Sequence, residues 1–185
     1  MCKEIKTALS DLSFMQVDFD MVFDRLSECT ANGIDDCYFV ISTNVGEKLR
    51  PLYDVASGGE LARIMLAVKS CMAAEDNIGT LVFDEIDVGI SGRAAQAVAE
   101  KMALISRKHQ VISITHLPQI AAMADSHYLI EKSADEGKTV TKIVRLSEAE
   151  SITEIARLLG GASITDAVMS NALEMKQMAE KTKKY

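Results

Sequence analysis

The middle of the chain alternates between apolar patterns typical of helices and of strands. Helical spacing near residues 57–72 predicts a buried helix face formed by Leu61, Ile64, Met65, Val68 and Met72. The run TLVF at residues 80–83 and the run QVISIT at residues 110–115 predict strands buried on both faces. A further helical stretch, residues 91–105, lies between them. This order predicts an α/β fold, a mainly parallel sheet flanked by helices.

The flanking segments predict shorter elements. We expect a helix over residues 3–12, a strand over residues 14–19 and a partner strand over residues 36–43, with polar residues 24–36 forming the connection. Towards the end, HYLIEK and TVTKIVRL predict an additional β-hairpin, and helices are expected over residues 117–124, 151–159 and 165–181. No repeat or linker interrupts the pattern, so we expect one domain, residues 1–185.

Composition narrows the class of protein. The 185 residues carry a net charge of -7, which argues against tight unaided binding to DNA phosphates. No apolar run reaches the roughly 20 residues that span a bilayer, and the first residues lack the apolar core of a signal peptide. The four cysteines form no CxxC pair, so we expect free thiols and a cytoplasmic protein.

Carboxylates follow the first apolar strand. Asp84, Glu85 and Asp87 come directly after TLVF, and ligands of α/β sheets bind at the carboxyl ends of strands. Carboxylates at such a place can hold Mg²⁺ and orient a water for attack on a phosphate. A polar turn without chemistry is an equally good reading of these residues alone.

Two further signals stand at element boundaries. His116 follows the second apolar strand, although a lone histidine is more often structural. Ser57, Gly58, Gly59 and Glu60 precede the first long helix. Their backbone N–H groups and the helix dipole can bind an anion, while Ser57 with Glu60 three residues later also fits a capping box, the reading favoured if these residues are taken alone.

Together the three signals resemble the second half of an ABC-type ATPase head, with a signature motif, a Walker B strand and a switch histidine in that order. The longer stretches ASGGELARIMLAVK, TLVFDEIDVGISGRAAQAVAEKM and THLPQIAAMADSHYLIEK are similar to the SMC-like ATPases of bacterial DNA repair. The similarity extends over nearly the whole chain from about Phe14. It implies ATP binding, head dimerisation through the signature motif, and a role in double-strand-break repair and recombination.

The resemblance assigns roles to single residues. It implies that Ser57, Gly58, Gly59 and Glu60 contact the ATP held by an opposing head. Asp84 matches the aspartate that supports Mg²⁺, Glu85 the carboxylate that polarises the attacking water, and His116 the histidine near the γ-phosphate. The loop containing Asp87 and Ser91 would lie at the dimer contact, although SMC-type proteins commonly have aspartate where this chain has Ser91.

One large departure concerns the phosphate-binding loop. Gly137-Lys138-Thr139 suggests a Walker A motif, but Lys132 stands where that motif needs its first glycine. The chain also has no heptad array for a coiled coil. It therefore resembles a C-terminal head lobe that depends on an N-terminal P-loop lobe, a second head, ATP and Mg²⁺, and meets DNA through the full-length protein. Alone it is expected to be inactive, and a nucleoid-associated location is expected for the whole protein.

Two alternatives remain at this point. The chain fits half of another SMC-like or ABC-type ATPase, or a non-catalytic interaction module on the same fold. The presence of Asp84, Glu85 and His116 together argues against the non-catalytic module. A P-loop and a coiled coil in the same gene product would separate these readings.

Overall fold

The computed structural model describes residues 1–14, 16–44, 46–54, 58–72, 77–135, 138–161 and 163–184. Its elements, in chain order, are α1 (Cys2–Asp11), β1 (Asp18–Thr30), β2 (Gly33–Ser42), β3 (Arg50–Pro51), α2 (Gly58–Met72), β4 (Thr80–Phe83), α3 (Gly92–Ile105), β5 (Gln110–Ser113), α4 (Pro118–Met123), β6 (Tyr128–Asp135), β7 (Lys138–Arg145), α5 (Glu148–Gly160) and α6 (Asp166–Lys183). A short 3₁₀ turn, Leu52–Asp54, follows β3. The expected mixture of helices and sheets is confirmed.

The chain divides into two compact units. The first contains Met1–Ile90 and Ile105–Ile114, and the second contains Ser91–Leu104 and Thr115–Tyr185. In the first unit α1 packs on α2, and β1, β2 and β3 form an antiparallel sheet in that order. Its largest fully buried side chains are Ile5, Leu9, Leu12, Ile64, Leu66, Ile86 and Ile105.

The first hairpin is longer than its sequence predicts. β1 and β2 pair antiparallel, as expected, but they continue to a tight turn between Thr30 and Gly33. The prediction that residues 24–36 form the connection is therefore wrong for residues 24–30 and 33–36, which belong to the strands, whereas residues 31 and 32 form the turn. The outer halves of both strands are exposed, so no apolar alternation marks them and their polar composition resembles that of a loop.

The first unit also contains a parallel pair of strands. β4 and β5 pair from Thr80 opposite Gln110 to Phe83 opposite Ser113, and the Ile114 amide extends the ladder to the Phe83 carbonyl at 3.1 Å. Burial on both faces was predicted and is wrong for these residues: Val82, Ile112 and Ile114 are 66%, 46% and 52% exposed. Among the described strands no third strand joins this pair.

Helix α2 buries a face shifted from the predicted one. Ile64 and Val68 are buried as expected, but Met65 and Met72 are exposed. Gly59 and Arg63 are buried instead, together with Leu66 and Ala67. The buried side of the helix therefore includes a cation, which an apolar periodicity cannot indicate.

The second unit is mainly helical. Helices α4, α5 and α6 pack on one another, and β6 and β7 form the expected hairpin. Ser147 begins α5 with a complete capping box to Glu150, which explains why this boundary is sharp. The residues after Lys138 enter a strand, in agreement with rejection of a P-loop there. Within the described ranges, no helix has the length and apolar character needed to cross a bilayer.

Candidate functional site

The carboxylate turn, residues 84–88, directly follows β4. Asp84 and Glu85 are exposed, whereas Ile86 and Asp87 are buried. The Asp84 carboxylate accepts a hydrogen bond from the Glu85 amide at 3.0 Å. Glu85 itself has a φ of 57°, a left-handed conformation that is uncommon for residues other than glycine. Backbone strain of this kind clusters at functional sites, so the turn is a candidate for one.

The turn is closed by its own backbone. The Val88 amide donates to the Glu85 carbonyl at 3.1 Å, and the Ile90 amide donates to the Asp87 carbonyl at 3.4 Å. Two successive turns thus present Asp84 and Glu85 to solvent while Ile86 anchors the segment in the core. The result is a rigid support for two adjacent carboxylates at the carboxyl end of a parallel strand.

The glycines at the start of α2 lie against this turn. A β-carbon at Gly59 would lie 3.0 Å from the Val88 carbonyl oxygen and 3.1 Å from the Glu85 carbonyl oxygen. At Gly58 it would lie 2.8 Å from a carboxylate oxygen of Glu85. The structure therefore brings Gly58 and Gly59 together with Glu85, and the missing side chain at Gly59 permits the close approach of the two backbone segments.

Arg63 is the functional candidate that sequence reasoning missed. It lies one helical turn after Gly59 and is only 8% exposed. Its Nη1 donates to the Val88 carbonyl at 2.9 Å and to the Ile86 carbonyl at 3.4 Å. Its guanidinium also lies over the Phe14 ring, 5.6 Å from the centroid. An arginine one turn into a helix after a glycine pair was the available signal.

The remaining predicted site residues are Ser57, Glu60, Ser91 and His116. Ser57 lies outside the described residues, so its capping box and its contact with an anion stay predictions. Glu60 is partly buried in the first turn of α2. His116 and Ser91 belong to the second unit; both are exposed, and His116 immediately precedes Leu117 at the start of α4. The convergence of His116 on the carboxylates also stays a prediction.

The donor set near Asp84 fits a metal ion shared with a nucleotide. Among the described residues no group of three or more His, Cys, Asp or Glu side chains could hold a metal on its own. Mg²⁺ typically uses one or two protein carboxylates and completes its shell with phosphate oxygens and water. Asp84, whose carboxylate is exposed, is a residue that could provide one such ligand.

A separate open cleft of about 750 Å³ lies in the second unit. Its wall includes His127, Arg145 and Lys176, but none of the predicted site residues. Burial lowers the pKa of His127, and the neighbouring Lys176 lowers it further, against an opposing effect of Glu154. The cleft is therefore distinct from the carboxylate turn.

Solved structures define the class of fold. An Smc head domain with a coiled coil and joint from Pyrococcus yayanosii matches 83% of this chain and 28% of its own, at a TM-score of 0.58 and 23% identity. An Smc head bound to the C-winged helix domain of ScpA matches 82% of this chain and 44% of its own, at a TM-score of 0.54 and 22% identity. The fold is that of an SMC-type ATPase head lobe.

Sequence relatives narrow this class to one family. RecN, a DNA repair protein, of Bacillus subtilis is 47% identical over 84% of this chain, and RecN of Halalkalibacterium halodurans is 40% identical over 98% of it. RecN of Haemophilus influenzae is 38% identical over 95%. The chain belongs to the RecN family.

The match covers a minor part of each relative. This chain spans 27%, 33% and 32% of the three RecN proteins, in the same order. A scan against protein-family models gave no match. The chain therefore corresponds to about a third or less of a complete RecN protein.

Proposed function

We propose that this chain is the C-terminal ATPase-head lobe of a RecN-type protein acting in DNA double-strand-break repair and recombination. In this proposal a complete head binds ATP and Mg²⁺, two heads dimerise through the signature motif, and hydrolysis resets them. The observation that carries the proposal is the packing of Gly58 and Gly59 on the turn that presents Glu85. The RecN relatives do not favour half of another SMC-like or ABC-type ATPase, or a non-catalytic interaction module.

The roles within the site follow from chemistry. Asp84 would be the protein ligand of a Mg²⁺ bound with ATP, and Mg²⁺ would neutralise charge on the phosphates. Glu85 would accept a proton from the attacking water, and His116 would donate to charge that develops near the γ-phosphate. Ser57, Gly58, Gly59 and Glu60 would contact the nucleotide of the opposing head, with Asp87 and Ser91 at the dimer contact.

The exposed face of the parallel strands supports a P-loop lobe as a partner. Parallel sheets are normally covered on both faces, yet Val82, Ile112 and Ile114 expose apolar side chains on one face of β4 and β5. Further strands and helices of a P-loop lobe would cover this face. Since the net charge of this chain is -7, we assign DNA contacts to the full-length protein, acting in the cytoplasm on the nucleoid.

The test is a Glu85→Gln variant of the full-length protein. The amide keeps the size of the side chain but cannot accept the proton, so the ATP turnover number should fall on the order of 10²–10⁴-fold. ATP binding should persist and ATP-bound dimers should accumulate, as measured by sedimentation. Glu28→Gln, on the exposed end of β1, is the matched control.

Unchanged turnover in Glu85→Gln would remove this carboxylate from the mechanism. The isolated chain provides a second check, because a lobe without a P-loop should show no Glu85-dependent hydrolysis.

A further inference from the structure

Burial removes water from the charged guanidinium of Arg63, which destabilises the fold unless protein groups replace that water. Burial lowers the pKa of its guanidinium, while the nearby Glu60 raises it. Arginine stays protonated in proteins, so this cation needs hydrogen-bond acceptors within the fold. It finds them in the carbonyl oxygens of Ile86 and Val88, both in the carboxylate turn.

The Val88 carbonyl oxygen lies close to Gly59 and accepts a hydrogen bond from Arg63. A β-carbon at Gly59 would lie 3.0 Å from its oxygen, and Arg63 Nη1 donates to the same oxygen at 2.9 Å. Gly59 and Arg63 lie one helical turn apart on the same face of α2. Glu85, whose backbone is left-handed, lies three residues before Val88, and its carbonyl accepts a hydrogen bond from the Val88 amide. The backbone segment that carries Glu85 is therefore the segment that contacts α2.

We propose that Arg63 is a positioning residue that fixes the carboxylate turn against the start of α2, so that an opposing head docking on Gly58 and Gly59 also sets the placement of Glu85. The inference rests on the proposed function, because it deepens the role of the same site. Arg63 touches neither nucleotide nor metal in this scheme. Arg63 connects the signature motif, which would contact the ATP of the opposing head, to Glu85, which would act on the ATP of its own head.

The experiment compares Arg63→Met, Arg63→Lys and the exposed-strand control Arg25→Met in the full-length protein, beside the wild type and Glu85→Gln. Arg63→Met should lower the turnover number on the order of 10- to 100-fold, since small misplacements of catalytic groups have effects of this size. Its affinity for a fluorescent ATP analogue and its ATP-dependent dimerisation should change by less than about twofold, because the nucleotide is held elsewhere. Arg63→Lys should recover part of the loss, since an ammonium can reach one carbonyl but lacks the fork.

Hydrogen exchange without nucleotide provides the readout that does not need activity. In Arg63→Met the amides of Val88 and Ile90 should exchange faster, while those of β1 and β2 keep their wild-type rates. A folded Arg63→Met with wild-type turnover, or a loss equal to that of Arg25→Met, would overturn the inference. If the wild type shows no Glu85-dependent hydrolysis, the proposed function fails. Unchanged hydrogen exchange at Val88 and Ile90 in Arg63→Met would separately show that Arg63 does not fix the carboxylate turn.

Discussion

In each unit a cation on a helix donates to backbone carbonyls, but Arg63 is buried and Lys176 is half-buried, and their acceptors differ. Arg63 of α2 donates to carbonyls of the non-helical carboxylate turn. Lys176 of α6 donates to the carbonyls of Ala122 and Ala124 at the end of α4, at 3.1 and 2.8 Å. Burial lowers the pKa of both cations. The same kind of interaction, a side-chain cation donating to backbone carbonyls, thus stabilises a strained turn in one unit and an ordinary helix end in the other.

The two sets of carbonyl acceptors differ in whether water can replace the cation that donates to them. The last carbonyls of α4 have no partner within their helix and attract cations through the helix dipole, but water can replace a lysine there. The Ile86 carbonyl is in a buried contact with Arg63, where water has less access. Loss of the arginine should therefore leave a larger deficit than loss of the lysine.

The largest expected effect separates these two cations. Arg63→Met should reduce the free energy of unfolding by about 2–3 kcal/mol, because the Ile86 carbonyl in a buried contact and the Val88 carbonyl in a partly buried one both lose their donor. Lys176→Met should cost no more than about 1 kcal/mol, the usual size of a cation at a partly exposed helix end. Urea unfolding of the two variants measures the difference, and equal losses would show that the acceptors are equally accessible to water.

A smaller effect should separate the neighbouring glycines of α2. Gly59→Ala should cost about 1–3 kcal/mol, because the new methyl group meets backbone atoms that cannot move independently. Gly58→Ala should change stability by less than about 1 kcal/mol, since its obstacle is the movable end of the Glu85 side chain and alanine favours the helix. Thermal melting of both variants tests this order, and a larger loss for Gly58→Ala would reverse our reading of the contact.

The smallest effect concerns pH and the surroundings of Lys176. The pKa of His127 is lowered in the folded state, first by burial and then by Lys176, so below about pH 6.5 the unfolded chain takes up the proton more readily. Stability should be complete above that pH and decline as the pH falls towards the folded pKa. One proton limits the slope to about 1.4 kcal/mol per pH unit.

Melting temperatures of the wild type and His127→Gln at neutral and mildly acidic pH measure this contribution. The Nδ1 atom of His127 lies 2.9 Å from the Ser151 hydroxyl, a contact that glutamine can partly retain. The variant should show a shallower dependence on pH. An identical dependence in both proteins would assign the slope to other groups.

The sequence predicts helices in the second unit to within a few residues, because local signals mark their ends. Pro118 starts α4, and α5 starts after the Ser147 capping box, a signal that the expected start at residue 151 did not use. The outer half of the β1–β2 hairpin was missed because exposure on both faces leaves no alternating pattern. Residues 80–83 have the composition of a covered strand, although Val82 is exposed in the described residues. The proposed P-loop lobe would explain this composition, because its strands and helices would cover the exposed face.

The sequence likewise identifies some residues of the candidate site and misses another. Motif spacing placed Gly58, Gly59 and Glu85 at boundaries that the structure brings into contact. Arg63 escaped notice because an arginine in an amphipathic helix is ordinarily assigned to the polar face. Its burial depends on the backbone path of residues 84–88, which no spacing rule describes.

The left-handed backbone of Glu85 has a consequence for how this sequence can change over generations. A φ of 57° costs most residues about 1 kcal/mol or more, and glycine is the replacement that removes this cost. Mutational drift towards stability therefore favours glycine at the position where the proposed chemistry needs a carboxylate. Persistence of glutamate there through many substitutions elsewhere would record selection for turnover against selection for folding.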